Sequence, residues 1–211
     1  MSQAWRHRIA RDALCALVRL LVGAYRSGPL PTSKAQLYFA NHCSHLDTLT
    51  VLSALPPEIR QRTRPVAAQD YWCATPLRRW LAEKVLNVVY ISRTVQAGQD
   101  PMAAVHAALE EGASVIFFPE GTRQASAQPR AFKGGLYRLA VAHPEVELVP
   151  VYLENLYRIL PKGSNLPVPL INQVHLGSVL ERQDAESKPA FLLRAHASVC
   201  ALSPTHAKGA P

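Results

Sequence analysis

The sequence has little negative charge. Its 211 residues include 15 aspartates and glutamates against 23 lysines and arginines, which gives a formal charge of +8. An excess of positive charge suits an anionic partner, which can be nucleic acid, an acidic membrane surface or a phosphorylated substrate. Charge alone does not choose among the three. Because the sequence contains no nucleic-acid recognition motif, we expect no nucleic-acid partner.

Cysteines are few and scattered. The sequence has four, and no two of them form a CxxC pair: Cys15, Cys43, Cys73 and Cys200. This spacing is typical neither of a zinc site nor of a disulfide framework. The pattern favours free thiols in a reducing cytosol and predicts no bound metal.

Long apolar runs are also missing. A transmembrane helix needs about 18 or more consecutive apolar residues, and no such run occurs in this sequence. Near the N-terminus, Arg11, Asp12 and Arg19 interrupt the apolar positions, and no clean cleavage site follows them. The sequence therefore predicts neither a membrane span nor a secretory signal.

What is present is a globular composition, with 48% apolar and 18% charged residues. A chain of this length suits one domain with a full hydrophobic core. We expect an N-terminal amphipathic helical element over residues 1–28, one α/β domain over 29–202 and a flexible tail over 203–211.

The N-terminal element is predicted to be one helix from Trp5 to Tyr25. Its apolar residues recur at helical spacing: Ile9, Ala13, Leu17, Leu20, Leu21 and Ala24. Arginines are expected around that stripe: Arg8, Arg11, Arg19 and Arg26. Such a helix can lie in a membrane interface, with arginines at the anionic head groups, or it can pack on its own domain as an ordinary surface helix.

Short apolar runs then alternate with helical patterns, which favours an α/β domain with a mainly parallel central sheet flanked by helices. The predicted strands are Gln36–Ala40, Arg64–Ala68, Asn87–Ser92, Ser114–Phe118, Leu148–Leu153 and Gln173–Gly177. The predicted helices are Asp47–Leu55, Pro76–Val85, Pro101–Glu111 and Lys133–Ala142. A proline-rich stretch over 160–170 is expected to be a long structured loop. Sites in open α/β sheets collect at the carboxyl ends of strands, so the residues that follow the first, third and fourth strands matter most.

The first strand runs into the sequence NHCSHLD, residues 41–47. Asn41 is expected to cap the next helix. His42 then lies at the strand-to-helix turn, and Asp47, five residues on, can reach back to its imidazole. A carboxylate on one ring nitrogen fixes the tautomer, and the other nitrogen can then take a proton from an alcohol. The pair is a candidate general base with its orienting partner.

Other interpretations of the same seven residues remain open. Cys43 is a candidate nucleophile beside a histidine. His42, His45 and Asp47 are candidate metal ligands, although no fourth ligand is evident. A histidine near an aspartate can also be purely structural.

The fourth strand runs into PEGTR, residues 119–123. Gly121 is expected in a tight turn, where Thr122 and the backbone amides can donate hydrogen bonds. Arg123 can bind a phosphate with two N–H groups. Lys133, next to two glycines at a predicted helix start, and Arg93, just past the third strand, are expected to add to an anion site.

Together these residues resemble the glycerophospholipid acyltransferase family, and within it the 1-acylglycerol-3-phosphate (lysophosphatidate) acyltransferases. NHCSHLD matches the family's first motif in full, and residues 118–123, FPEGTR, match its third. VVYISR, residues 88–93, is a weaker match to the second motif, and LVPVY, residues 148–152, fits the fourth. The resemblance covers Leu37 to Tyr152.

The resemblance implies a role for each matched residue. His42 is the general base on the acceptor hydroxyl, and Asp47 orients it. The acceptor and its phosphate are bound by Arg93, Glu120, Gly121 and Arg123, to which the pattern analysis adds Thr122 and Lys133. Pro150 shapes the site of the acyl donor, which is a thioester of coenzyme A or acyl carrier protein. No cofactor is expected beyond this co-substrate.

The resemblance also implies a membrane-associated α/β fold whose N-terminal helix dips into the bilayer. We therefore expect an anionic membrane surface as a partner and a peripheral or monotopic location at the cytoplasmic face of the cell membrane.

One departure concerns the acceptor. Gln124 stands where the family often has serine, and the second motif is not diagnostic. Glycerol-3-phosphate, another lysophospholipid and a lyso-ornithine lipid remain alternative acceptors, and a non-enzymatic protein that binds anionic lipids is the alternative of another class.

Overall fold

A seven-stranded sheet forms the centre of the fold. The structure is a computed structural model, and it describes residues 3–92, 100–124, 126, 128–155 and 172–204. The strands are β1 Tyr25–Ser27, β2 Gln36–Ala40, β3 Thr63–Ala68, β4 Val89–Ile91, β5 Ser114–Phe117, β6 Glu147–Leu153 and β7 Gln173–Leu176. Their order across the sheet is β1-β7-β6-β2-β5-β3-β4, and every neighbouring pair is parallel except β6 and β7.

Helices cover both faces of this sheet. They are α1 Gln3–Val22, α2 Asp47–Ala54, α3 Pro57–Arg62, α4 Gln69–Trp72, α5 Pro76–Trp80, α6 Ala103–Glu110, α7 Gly135–Ala142 and α8 Lys188–Ala201. A π-helical segment, Leu81–Leu86, continues directly from α5.

Strand β2 shows why the sheet must be covered on both sides. Side chains alternate along a strand, so Leu37 and Phe39 face one side and Tyr38 and Ala40 face the other. The first pair belongs to a core formed with α6, α7 and α8, and the second pair to a core formed with α1, α2 and the π-helical segment. All five residues of β2 are buried. The predicted fold class, a mainly parallel sheet between helical layers, is confirmed.

The predicted C-terminal end of the first helix was wrong. The sequence pattern extends the helix to Tyr25, whereas α1 ends at Val22 and Tyr25 begins strand β1. Gly23 ends the helix because it adopts a φ of 67°, which is accessible to glycine at little energetic cost. Its N–H donates to the carbonyl of Arg19 at 3.0 Å.

Helix α1 packs on the domain through a face other than its apolar stripe. The buried face consists of Arg11, Cys15, Val18 and Val22. Of the predicted apolar stripe, Ile9, Ala13, Leu17, Leu20 and Leu21 are exposed, whereas Ala24 lies beyond the helix and is buried. Leu20, for example, is 81% exposed. The part of the stripe on α1 therefore leaves about half or more of each large apolar side chain exposed.

Two of the predicted flanking arginines lie elsewhere. Arg11 is buried, and its guanidinium donates to the carbonyl of Thr63 at 2.5 Å, which attaches α1 to the start of β3. Burial lowers the pKa of Arg11 to about 10. Arg26 lies in β1 rather than on the helix. Only Arg8 and Arg19 of the predicted four are exposed on α1.

The remaining predictions differ from the structure mostly at element ends. The predicted helix Pro76–Val85 is α5 followed by the π-helical segment, which ends where Asn87 adopts a φ of 53°. Helices α3, α4 and α8 were not predicted. The proline-rich stretch over 160–170, Arg93 and residues 205–211 lie outside the described residues, and the domain limits stay predictions. No helix within the described ranges is long and apolar enough to cross a bilayer.

Candidate active site

The first and third motifs meet at one edge of the sheet because their strands are neighbours. Strand β2 pairs with β5 in parallel, with Phe39 opposite Phe117, so both strands end at the same edge. The loop after β2, residues 41–46, and the loop after β5, residues 118–124, therefore lie side by side. This is the position that the sequence predicted for the site.

His42 and Asp47 form the predicted pair. The Nδ1 of His42 lies 2.7 Å from Oδ2 of Asp47. The Asp47 side chain is fully buried, while the His42 side chain is 23% exposed. The backbone N–H groups of Cys43 and Ser44 donate to the same Oδ2 at 2.6 and 2.9 Å. These donors stabilise a carboxylate at this position and fix its orientation toward the imidazole.

The arrangement leaves one ring nitrogen of His42 available. With Asp47 ionised, Nδ1 carries the proton and Nε2 keeps its lone pair. Among the described residues, no hydrogen-bond partner is found for Nε2 of His42. A partly exposed imidazole with a free Nε2 and a buried carboxylate on Nδ1 is chemically suited to take a proton from a hydroxyl.

The interpretation of Asn41 as a helix cap was wrong. Helix α2 begins only at Asp47, so Leu46 occupies the capping position and Asn41 is too far away. The Asn41 side chain instead accepts from the N–H of Leu153 at 2.7 Å and donates to its carbonyl at 3.2 Å. These two hydrogen bonds attach the loop that carries His42 to the C-terminal end of β6.

The two motif loops are joined through the backbone of His42. Its N–H donates to Oε1 of Glu120 at 3.0 Å, and its carbonyl accepts from the N–H of Gln124 at 2.8 Å. The His42 ring also stacks on Phe118, with 4.3 Å between ring centroids and 20° between planes. Backbone bonds on both sides and a stacked ring restrict the position of the imidazole.

Glu120 is buried between the loop after β2 and the loop after β5. It is only 3% exposed, and burial raises the pKa of its carboxyl, although the N–H groups of His42 and Arg130 oppose that shift. Its Oε2 is buried with no hydrogen-bond partner among the described residues. The predicted contact of Glu120 with substrate stays a prediction, and the contact that is observed is with His42.

The cationic part of the loop is arranged around Gly121. Gly121 adopts a φ of 70°, and a Cβ added there would lie 2.8 Å from Nζ of Lys133. The backbone N–H of Lys133 donates to the carbonyl of Pro119 at 2.9 Å. Gly121 and Thr122 are exposed, and Arg123 is half-buried. Lys133 and the PEGTR turn are thus brought together as the sequence predicted, whereas Arg93 lies outside the described residues.

The structure can be compared with the two alternative chemistries, a Cys43 nucleophile and a metal site. Cys43 is 6% exposed, and burial raises the pKa of its thiol, which disfavours the thiolate that a nucleophile needs. No group of three histidine, cysteine, aspartate or glutamate side chains able to hold a metal occurs in the part of the chain that the structure describes. His42 and His45 point to different partners, since His45 stacks on Tyr71.

That second histidine belongs to a group that the sequence analysis missed. The rings of His45 and Tyr71 are stacked with centroids 5.1 Å apart, and the guanidinium carbon of Arg78 lies 4.8 Å from the Tyr71 centroid. No spacing rule connects His45 with residues that lie 26 and 33 positions further on. The only available signal was the pair of adjacent arginines, Arg78 and Arg79, one short helix after β3.

The chain is similar to known proteins over the region that carries both motif loops. The Acyltransferase family model matches residues 24–154, which include both motif loops. The chain is 33% identical over 137 residues to the chloroplastic 1-acyl-sn-glycerol-3-phosphate acyltransferase of Arabidopsis thaliana, a match that covers 64% of this chain and 36% of that protein. It is 31% identical over 129 residues to the human 1-acyl-sn-glycerol-3-phosphate acyltransferase alpha, covering 59% of this chain and 42% of that protein.

A solved structure has the same fold. The crystal structure of the 1-acyl-sn-glycerophosphate acyltransferase PlsC from Thermotoga maritima superposes with a TM-score of 0.75 at 19% identity, covering 97% of this chain and 80% of that one. The chain spans about two fifths or less of the length of the curated relatives named above. The family model itself extends over more than half of this chain. The chain therefore belongs to the Acyltransferase family.

Proposed function

We propose that this protein transfers a fatty acyl group from an acyl thioester to the free hydroxyl of 1-acylglycerol-3-phosphate, which gives phosphatidate and makes the protein an enzyme of phospholipid biosynthesis. The observation that carries the proposal is the 2.7 Å contact between His42 and a buried Asp47, with Nε2 of His42 unpartnered among the described residues. The relatives' names support the choice of acceptor.

In the proposed reaction His42 acts on the acceptor hydroxyl. Nε2 takes the hydroxyl proton while the oxygen attacks the thioester carbonyl carbon, and the buried carboxylate of Asp47 stabilises the imidazolium. A carbon–oxygen bond forms and the carbon–sulfur bond breaks. The leaving thiolate takes the proton from His42, so the imidazole is regenerated without an acyl-enzyme. The donor is acyl-coenzyme A or acyl carrier protein, and no cofactor is required.

The acceptor phosphate is assigned to the cations beside His42. Arg123 and Lys133 supply positive charge, and the turn at Gly121 and Thr122 supplies further hydrogen-bond donors. Gln124 N–H is bonded to the His42 carbonyl, so this turn is attached directly to the base. A phosphate bound here lies close to the hydroxyl that reacts. Arg93 is assigned to the same acceptor from the family resemblance alone.

We further propose that α1 binds an anionic membrane surface at the cytoplasmic face, where the protein is peripheral or monotopic. The exposed stripe is apolar, and the exposed cations Arg8 and Arg19 lie on the same helix, the combination that suits an interfacial helix. Helix α5, which runs into the π-helical segment packed on α1, adds the exposed side chains Leu77 and Trp80. We therefore assign an acidic lipid surface, rather than a neutral protein surface, as the partner of the exposed side of α1.

The C-terminal end of α1 lies at the same sheet edge as His42. The carbonyl of Val22 accepts from the N–H of Asn172, which immediately precedes β7, and Asn41 is bonded to Leu153 at the end of β6. Because β7 runs antiparallel to β6, its beginning lies beside the end of β6. A membrane bound to α1 would thus be close to the edge at which a lipid acceptor must enter.

An acceptor panel tests the activity. Purified protein, reconstituted with acidic phospholipid vesicles, is supplied with acyl-coenzyme A or acyl carrier protein thioester and with lysophosphatidate, glycerol-3-phosphate, other lysophospholipids or lyso-ornithine lipid. Products are identified by mass spectrometry. Phosphatidate as the main product supports the proposal. Transfer to another acceptor corrects the substrate, and binding to vesicles without transfer to any acceptor supports the non-enzymatic alternative.

A further inference from the structure

A group of three side chains next to the dyad consists of one variable position of the first motif and two residues outside all four motifs. His45 follows His42 in the same loop, Tyr71 is in α4 and Arg78 is in α5. The hydroxyl of Tyr71 lies 2.9 Å from Nδ1 of His45, and the two rings are stacked at 5.1 Å with 24° between their planes. The guanidinium of Arg78 covers the Tyr71 ring at 4.8 Å.

We propose that His45, Tyr71 and Arg78 extend the anion site at Arg123 to a second side of the dyad, where His45 and Arg78 bind the same substrate phosphate. The inference rests on the proposed acyl transfer and adds ligands to which the family resemblance assigns no role. Tyr71 is the positioning residue, whereas His45 and Arg78 are the groups that contact the phosphate.

Tyr71 holds both ligands in place. When its O–H donates to Nδ1 of His45, the imidazole carries its proton on Nε2, which remains available as a donor. The cation–π contact restricts the Arg78 side chain without using any of its N–H groups. Trp72 packs edge-on against Tyr71, with 5.7 Å between centroids, and adds a further restriction on the ring. Both side chains are therefore restricted by the same Tyr71 ring, and no hydrogen-bond partner of Nε2 of His45 or of the Arg78 guanidinium is found among the described residues.

The charges around His45 indicate an anion there. Its pKa is lowered, first by burial and then by electrostatic interaction with Arg123, His42 and Arg78, while Asp47 acts in the opposite direction. Arg123 is the arginine already assigned to the acceptor phosphate, so one arginine from the loop after β5 and one from α5 act on the same imidazole. A bound phosphate dianion would offset this mutual repulsion and would accept from each of the donors.

The chemistry of the substrates favours the acceptor as the source of this phosphate. In 1-acylglycerol-3-phosphate the phosphate is carried on the carbon next to the one that bears the reacting hydroxyl, so it must lie near His42. The diphosphate of an acyl-coenzyme A donor is separated from its thioester by the whole pantetheine arm and must lie further away. His45 is only three residues from His42, which is the proximity that the acceptor requires.

A pair of neighbouring arginines provides the test. Arg78→Gln removes the cation over Tyr71, and Arg79→Gln makes the same charge change one position along the same exposed helix. We expect Arg78→Gln to raise KM for lysophosphatidate about tenfold, the usual effect of losing a hydrogen bond to a charged group. We expect kcat and the KM for acyl-coenzyme A to change little, and Arg79→Gln to behave like the parent.

The kinetics of Arg78→Gln and Arg79→Gln distinguish binding of the acceptor from binding of the donor. A rise in KM for acyl-coenzyme A alone, absent with an acyl-pantetheine donor that has no phosphate, would assign the subsite to the donor diphosphate. Equal kinetics of the two variants for both substrates would overturn the subsite. Circular dichroism melts of both variants check that the fold is retained, which is expected because both side chains are exposed.

Equilibrium binding separates this inference from the proposed function. Lysophosphatidate and the corresponding monoacylglycerol, which lacks the phosphate, are each presented in neutral detergent micelles. Arg78→Gln should weaken binding of lysophosphatidate only. That result supports the subsite even if no acyl transfer is detected, whereas transfer that depends on His42 together with binding that is insensitive to Arg78→Gln refutes the subsite alone.

The pH dependence of binding tests His45 itself. A phosphate that favours imidazolium raises the lowered pKa of His45, so binding takes up a proton and tightens as pH falls between the bound and the free pKa. The charged and titratable groups around His45 are His42, Asp47, Tyr71, Arg78 and Arg123. His45→Gln keeps all of these and the titration of the lipid phosphate. The ratio of parent to variant affinity should therefore rise toward acid pH, and a constant ratio would contradict a role for His45.

Discussion

The side chain of Asn41 makes two hydrogen bonds to the backbone of Leu153, as a neighbouring strand would. The Asn41 carboxamide accepts from the backbone N–H of Leu153 at 2.7 Å and donates to its carbonyl at 3.2 Å. Both residues are buried. The residue before the candidate base is thus fixed to the last residue of β6, and this attachment determines where the His42 loop leaves the sheet.

Replacement of Asn41 should affect stability and catalysis together. Asn41→Ala leaves the N–H and the carbonyl of Leu153 buried without their partner, which is expected to destabilise the fold by about 1–3 kcal/mol. It should also lower kcat, because the loop that carries His42 loses its anchor to β6. Urea unfolding and steady-state kinetics provide the two measurements. An unfolding free energy equal to that of the parent would show that the pair contributes nothing.

Two replacements of Glu120 test whether this side chain positions His42 or contacts the substrate. Glu120→Gln keeps an oxygen that can accept from the His42 N–H, while Glu120→Ala removes it. We expect the glutamine variant to retain most of kcat and the KM for the acceptor, and the alanine variant to lose kcat. A large rise in acceptor KM in the glutamine variant would instead favour direct contact of Glu120 with the substrate.

The same variant predicts a pH effect on stability. Because burial raises the folded-state pKa of Glu120, the folded protein holds this proton more tightly than the unfolded chain does. Stability that depends on this carboxyl is therefore lost as pH rises from the ordinary carboxyl range through the raised pKa. Glu120→Gln cannot titrate, so its stability relative to the parent should improve with rising pH over that window. Denaturant melts at several pH values measure the difference.

Alanine variants of two glycines with similar backbone angles distinguish the effect of backbone strain from the effect of displacing Lys133. Gly121 has a φ of 70° and Gly112 a φ of 78°, but a Cβ at Gly112 would have no neighbour within 4 Å. Each alanine replacement should cost about 1 kcal/mol in backbone strain. Only Gly121→Ala should also displace the Lys133 amine and raise KM for lysophosphatidate. Equal KM values for the two variants would exclude a role for this close approach in substrate binding.

The exposed stripe of α1 predicts how the protein binds membranes. Leu20→Gln should weaken binding to acidic phospholipid vesicles about tenfold, since one leucine side chain is withdrawn from the lipid. Leu193→Gln on α8 is the matched control, because Leu193 is similarly exposed on another helix. Vesicle flotation measures both. Equal binding by the two variants would contradict the assignment of α1 as the membrane-binding surface.

The centre of the sheet could be predicted from the sequence because β2, β5 and β6 are buried on both faces, whereas the partly exposed β1 was missed. The continuous apolar run of β2 and the motifs at the strand ends are local signals, and the parallel pairing of β2 with β5 brings the two loops together without further information. The end of α1 was missed because the apolar pattern continues past Gly23, where the backbone and not the hydrophobicity stops the helix.

Other features depend on contacts between distant parts of the chain. Asn41 has the composition of a helix cap, but its partner Leu153 lies 112 residues away. The stack of His45 on Tyr71 joins the loop after β2 to helix α4, 26 residues further on. Arg11 resembles a surface arginine in the sequence and becomes buried only because α1 packs against the start of β3. No local pattern encodes these three relationships.

The most direct test of the account is the turnover of His42→Ala with lysophosphatidate and acyl-coenzyme A. Loss of the general base should lower kcat by roughly 10²–10⁴-fold, while circular dichroism and lysophosphatidate binding stay close to those of the parent. Asp47→Asn should also lower kcat, because it removes the carboxylate that orients the imidazole. A His42→Ala variant with near-normal kcat would contradict the central claim that His42 takes the proton from the acceptor hydroxyl.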